Sequence, residues 1–274
     1  MKHILYLTIS ILFLCNQNIK SQTIDTLITA GNQRLHFNII KGKNPPILFE
    51  SGNGNDGSVW KDVLPQISKA TGATLITYDR AGLGQSEIDT LTINYKDEIK
   101  NLESALKQLG YYENLFIVNH SFGGFYTTLF TVRNKDKVKG SVYIDPALSC
   151  FTTKEWSKDF VDHISQENWA LIKKHKIGLY YVLLQLEEIA DYMSTIDLPK
   201  ELPVTLIAAE KVLPMVKQHE IHKWQECMKS FGTLPNHKYV LAKNCGHKVW
   251  LDDEKLVIDE IVKGYQKVHF KESK

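Results

Sequence analysis

Eight short segments of the chain are rich in apolar residues, and they set its rhythm. Six of them, within 47–49, 73–78, 115–118, 138–144, 204–208 and 238–242, are largely unbroken by polar alternation, and segments with apolar residues at helical spacing lie between them. Strands of that kind are buried on both faces, so their alternation with amphipathic helices predicts a parallel sheet covered on both sides. The other two, 24–28 and 34–40, partly alternate and flank Gly31-Asn32, which predicts a hairpin. Helices are expected over 59–70, where Val59, Val63, Leu64 and Ile67 share a face, and through Ile99, Leu102, Leu106 and Leu109, with Gly110 as the stop. Further helices are expected over 122–132, 215–230 and 253–268, the last with Asp252, Asp253 and Glu254 at its positive end.

Between 147 and 202 the strand rhythm stops. That stretch reads as helical and polar, with Trp156, Phe160, Trp169, Tyr180, Tyr181 and Tyr192 scattered through it. It is expected to be a helical cap inserted into an α/β core made of 22–146 and 203–274. The fold class is therefore α/β: a mostly parallel eight-stranded sheet flanked by helices, with an inserted helical cap.

The first residues carry a different pattern. Met1-Lys2-His3 precedes an apolar run from Ile4 to Cys15, then polar residues and Ser21. A basic start, about a dozen apolar residues and a small-residue exit predict a secretory signal over 1–21 and export of the mature chain. The run is short of the roughly 20 residues that span a bilayer, so no stable membrane span is expected afterwards. Leu12-Phe13-Leu14-Cys15 has the outline of a lipoprotein site, but Leu14 suits it poorly. Removal of 1–21 takes Cys15 and leaves Cys150, Cys227 and Cys245, which form no C-x-x-C pair for zinc or redox chemistry. Buried free thiols are the default for Cys227 and Cys245, with a bridge between them as the alternative in an oxidising compartment.

Composition narrows the function classes. Hydrophobic residues make up 43% and charged residues 23%, which is ordinary globular usage. Thirty-three Lys and Arg against 31 Asp and Glu leave a net charge of +2, too little for a nucleic-acid footprint. His219 and His222 lie three apart without a third ligand, so no metal site is expected there.

The chemistry concentrates in Leu115-Phe116-Ile117-Val118-Asn119-His120-Ser121-Phe122-Gly123-Gly124. A buried strand runs into a serine and straight out into a helix. Such a turn strains the backbone, lifts the hydroxyl above the sheet, and aims the next amide, that of Phe122, at the helix N-terminus. With this segment, Ile47-Leu48-Phe49-Glu50-Ser51-Gly52-Asn53-Gly54, Tyr78-Asp79-Arg80-Ala81-Gly82-Leu83-Gly84-Gln85-Ser86, Tyr143-Ile144-Asp145-Pro146-Ala147 and Cys245-Gly246-His247, the chain resembles the α/β-hydrolase family. The likeness is to its serine-hydrolase branch of esterase, lipase and aminopeptidase-like enzymes with a helical cap. It covers 46–146 and returns at His247 and the last helix. One departure is Asn119, where the family's G-x-S-x-G has its first glycine.

The resemblance implies Ser121 as nucleophile and His247 as its base, since serine alone is a poor nucleophile. His120 is expected to pack under the turn. Two carboxylates compete to orient His247: Asp145, at the end of the preceding strand, and Glu210, after the strand on which the family usually carries its acid. The Asp-Pro-Ala context favours Asp145. The amides of Phe122 and Asn53 are expected to form the oxyanion hole, and Glu50, Asp56, Asp79 and Arg80 to brace loops. The expected partner is a small-molecule substrate with an apolar group; no cofactor, metal or nucleic acid is implied. The leading function is ester (or amide) hydrolysis through an acyl-enzyme. The alternatives are an aminopeptidase-like activity, with Glu187, Glu188 and Asp191 holding a free amine, and a catalytically silent ligand-binding protein. Dehalogenase and epoxide hydrolase relatives carry aspartate as nucleophile, unlike Ser121.

Overall fold

A computed structural model describes residues 22–270. The expected signal and its cleavage point fall on residues 1–21, outside the described residues. One eight-stranded sheet in the order β1-β2-β4-β3-β5-β6-β7-β8 organises the chain. The strands are β1 (Thr23–Ala30), β2 (Gln33–Ile40), β3 (Asn44–Glu50), β4 (Ala73–Tyr78), β5 (Leu115–His120), β6 (Val138–Ile144), β7 (Val204–Ala209) and β8 (His237–Ala242). The hairpin β1–β2 and the β2–β4 pair are antiparallel, and the other five pairings are parallel. The parallel strands β4 to β7 are buried along most of their length, as strands covered on both faces must be.

Helices α1 (Leu64–Thr71) and α10 (Glu254–His269) pack on one face, where Ile67, Val257, Ile261 and Tyr265 meet Ile47, Phe49, Val118 and Val142. Helices α2 (Tyr95–Leu109) and α3 (Gly123–Arg133) pack on the other with Leu48, Ile76, Ile117 and Tyr143. α2 shows why such segments fold locally. Asn94 accepts from the Asp97 amide at its start, Asp97 and Glu98 fill its first turn, and Gly110 ends it in the left-handed region. The helix expected over 59–70 begins only at Leu64, because Gly57–Trp60 forms a separate 3-10 turn capped by Asp56 and Pro65 occupies the first turn of α1.

Between β6 and β7 the chain leaves the sheet and builds four helices: α4 (Lys154–Asp162), α5 (Gln166–His175), α6 (Ile177–Leu184) and α7 (Leu186–Met193). Thr153 and Ser165 cap the first two through hydrogen bonds to the amides three residues on. After β7 come α8 (Ile221–Gly232), β8, the short α9 (Val249–Asp252) and α10.

The expectation for Cys227 is corrected, and so is the alternative of a Cys227–Cys245 bridge. Cys227 is bonded to Cys150, not to Cys245, with Cα atoms 5.7 Å apart. Cys227 lies on α8 in an apolar cluster with Leu148, Phe151 and Trp224, whereas Cys245 lies in the separate cluster under α9 and α10. Cys245 is a buried free thiol, and burial pushes its pKa up. The bridge ties the segment leading into α4 to α8, across 77 positions of sequence.

Candidate active site

β5 and β6 are neighbours in register, His120 opposite Ile144, so the residue after each strand emerges at the same edge. Those residues are Ser121 and Asp145. Both have positive φ, 56° and 41°, a region that costs a non-glycine residue on the order of 1–3 kcal/mol. The expected sharp turn is thus present at Ser121. Its tightness also explains Gly123, where a Cβ would lie 2.8 Å from the Ser51 carbonyl oxygen. Ser121 N–H donates to the Ile144 carbonyl at 3.1 Å, and Ala147 N–H donates to the Ser121 carbonyl at 2.8 Å. These bonds stitch the serine turn to the Asp145 turn.

Asp145 is buried, and its two oxygens have separate partners. One accepts from the Ala209 amide at 3.1 Å; the other pairs with His247 Nδ1 at 2.6 Å. That bond leaves Nε2 of the imidazole for other work. Glu210 is placed differently: its carboxylate accepts from the Asn244 amide at 2.7 Å, bracing the loop that leads to His247 and not the ring. Among the described residues, the Ser121 hydroxyl makes no hydrogen bond to His247.

His120 does more than pack under the turn. Its Nε2 donates to the His247 carbonyl at 2.9 Å, the two rings lie 4.3 Å apart, and Trp250 meets the other side edge-on. Burial, reinforced by the nearby His247, holds its pKa well below the ordinary value, so it stays neutral. Asn119 is fully buried beneath the turn, and neither end of its amide finds a partner among the described residues. It does not reach the cavity around Ser121.

That cavity is about 650 Å³, within the range of small-molecule sites, and contains Ser121, Phe122, Asn53 and Asp145 at its floor. Its walls come from the cap, with Trp156, Phe160, Ile172, Leu179 and Leu183, and from the segment before α8, with Leu213 and Met215. Among the described residues, the lining carries no lysine, arginine or glutamate; its ionisable members are Asp145 and His163. Glu187 and Asp191 lie 3.9 Å from Lys154, and Glu188 accepts from the Tyr95 hydroxyl; none of the three enters the cavity. The backbone amides of Phe122 and Asn53 make no hydrogen bond to protein among the described residues.

Behind Asn53 lies a buried charged network. Arg80 donates to Glu50 at 2.7 Å, to the carbonyls of Ser51 and Gly52 at 2.7 and 3.0 Å, and to Asn53 Oδ1 at 3.4 Å. Glu50 also takes the Tyr78 hydroxyl, and Arg80 stacks on Tyr126, 4.6 Å from its centroid. Tyr126 donates in turn to Glu98, whose pKa burial pushes up to about 7. Asp79 accepts from the amides of Gly57 and Gln85, both at 2.8 Å, and Asp56 caps the 3-10 turn. All four loop-bracing residues singled out in the sequence thus hold loops. Glu98, the Cys150 partnership and Lys176, whose ammonium reaches the Gly54 carbonyl from 122 positions away, do not stand out in the sequence. No local pattern marks any of the three.

Comparison with known proteins places this arrangement. The alpha/beta hydrolase fold family model matches residues 45–167. The chain is 26% identical over 240 residues to uncharacterized protein YqjL of Bacillus subtilis (strain 168), covering 87% of this chain and 90% of that one. It is 24% identical over 203 residues to a proline iminopeptidase of Lactobacillus delbrueckii subsp. bulgaricus, covering 69% of this chain and 68% of the relative. An esterase from Exiguobacterium antarcticum superposes with a TM-score of 0.65 at 16% identity, over 89% of this chain and all of its own. Sheet order, the turn at Ser121 and these likenesses agree: the chain has the α/β-hydrolase fold.

Proposed function

We propose that the protein is a serine hydrolase that cleaves carboxylic esters with an uncharged, apolar acyl or alcohol part through an acyl-enzyme. The observation that carries this reading is the cavity in which Ser121 shares the floor with two amides, Phe122 N–H and Asn53 N–H, that have no acceptor of their own. Donors held ready for a developing oxyanion are the largest single contribution to many acyl-transfer enzymes.

In the proposed reaction, His247 Nε2 takes the Ser121 proton as Oγ attacks the ester carbonyl carbon. The carbonyl oxygen gains the negative charge and receives hydrogen bonds from the Phe122 and Asn53 amides. Asp145, hydrogen-bonded to Nδ1, keeps the proton on that nitrogen and stabilises the imidazolium. The tetrahedral intermediate collapses, the C–O bond to the leaving alcohol breaks, and His247 gives that oxygen its proton. A water molecule then repeats the sequence on the acyl-enzyme, releasing the acid and restoring Ser121. The mostly apolar lining, without lysine, arginine or glutamate among the described residues, supports a neutral apolar substrate. The aminopeptidase alternative gains no support, because the acidic residues expected to hold a free amine lie outside the cavity. Export, expected from residues 1–21, accords with the Cys150–Cys227 bond, since disulfides persist in oxidising compartments.

The test is turnover of a panel of 4-nitrophenyl esters from acetate to decanoate beside aminoacyl-4-nitroanilides. The expected result is ester hydrolysis, reduced by on the order of 10⁶ in Ser121→Ala. Hydrolysis of the anilides alone, or turnover unchanged by the substitution, would contradict the proposal.

A further inference from the structure

The amide of Asn53 has no side chain of its own to aim it; its direction is set by the loop 51–57. Almost every carbonyl near it has a donor, some from within the loop and some from outside it. Ser51 and Gly52 carbonyls accept from Arg80, Asn53 from the Asn55 side chain at 3.3 Å, and Asp56 from the Ser51 hydroxyl at 3.0 Å. The Gly54 carbonyl accepts from Lys176, at the junction of α5 and α6. Among the described residues, Lys176 is the donor to this loop that comes from the cap; the others belong to the core.

The same elbow rests on the core at a second point. Gly178 N–H donates to the Gly82 carbonyl at 3.1 Å, and a side chain at Gly178 would collide with the Ala81 carbonyl. Gly82 lies in the turn that follows Arg80, so the elbow touches both segments that fix Asn53. Beyond it, α6 supplies Leu179 and Leu183 to the cavity wall, and a Cβ on Gly54 would sit 3.1 Å from Leu179 Cδ2. One helix therefore contacts the substrate space and the oxyanion loop together.

We propose that Lys176 is a positioning residue through which the cap holds the Asn53 amide in line for the oxyanion, so that seating of the α5–α6 elbow completes the hole. The proposal rests on the serine-hydrolase reading of the site. It assigns the cap a part in the chemical step as well as in enclosing substrate. An oxyanion donor displaced by even about 1 Å loses much of its effect, which makes a single carbonyl anchor worth measuring.

The experiment compares Lys176→Met, Lys176→Arg and Gly178→Ala with wild type in the full-length protein, using 4-nitrophenyl butyrate. Lys176→Met is expected to lower kcat by about 10-fold while KM stays within about twofold, and Lys176→Arg to recover most of the loss. Gly178→Ala, which lifts the elbow off Ala81, is expected to reproduce the kcat loss. Amide hydrogen exchange over 51–57 is read in parallel and is expected to quicken about 10-fold in Lys176→Met, with exchange in β5 and β6 unchanged. An unchanged exchange rate in the loop overturns the proposal whether or not the protein hydrolyses esters. So does a loss seen only in KM, or one equal in the Met and Arg variants. Wild-type protein without ester turnover, yet with the exchange effect intact, would instead count against the serine-hydrolase reading alone.

Discussion

The two flanks of Ser121 are built on opposite plans. On one side stands a single carboxylate–imidazole pair, with the Asp145 side chain 1% exposed and that of His247 23% exposed. On the other side Arg80 and Glu50, 4% and 3% exposed, are locked with Tyr78, Tyr126 and the half-buried Glu98 in a mostly buried network. In the proposed reaction His247 takes and returns a proton, which calls for one bond to hold the ring, that from Nδ1 to Asp145, and a second nitrogen left for the transfer. A group that must only keep a peptide amide still gains from many bonds in a low-dielectric setting, where each is stronger. His120 joins the first flank to the turn without adding charge, because burial keeps it neutral.

The comparison breaks most visibly on the His247 side. Asp145→Asn is expected to lower kcat on a 4-nitrophenyl ester by about 10⁴, because the amide orients the wrong tautomer, while Glu210→Gln should stay within about threefold. The reverse ranking, read from steady-state kinetics, would transfer the orienting role to the carboxylate that bonds Asn244.

A smaller effect sharpens the other flank. Burial lifts the Glu98 carboxyl from 4.5 to about 7, so the folded protein holds this proton at pH values where the unfolded chain has released it. The stability this group contributes is full below about pH 4.5 and is lost as pH rises through about 7. Glu98→Gln, neutral at every pH, should match wild type near pH 4.5 and exceed its Tm by a few degrees at pH 8. Thermal melts across that range check it; parallel curves for the two proteins would show that Glu98 is not desolvated by the network.

What could be read from the sequence follows the same division. The turn at Ser121 was legible because strand, bend and helix are consecutive there, and the apolar run Leu115–Val118 with Gly123 admits few other foldings. The Asp-Pro-Ala context leaned to Asp145 over Glu210, but only weakly, since each ends a strand and the His247 ring meets its carboxylate across 102 positions. The cysteine pairing failed for a related reason. Cys150 is brought to Cys227 by the packing of Leu148, Phe151 and Trp224, which no spacing encodes. Lys176 and Glu98 belong to long-range polar contacts of the same kind. Asn119 is the reverse case: the sequence flagged it, and the structure buries it with no hydrogen-bond partner for its amide among the described residues.

The central claim is that Ser121 is the activated hydroxyl at this edge of the sheet. It is tested most directly by reacting the protein with a fluorophosphonate and locating the adduct by peptide mass spectrometry. The account predicts one adduct, on Ser121, formed at least about 10³ times more slowly in His247→Ala. An adduct on another residue, or labelling of Ser121 at an unchanged rate without the imidazole, would contradict it.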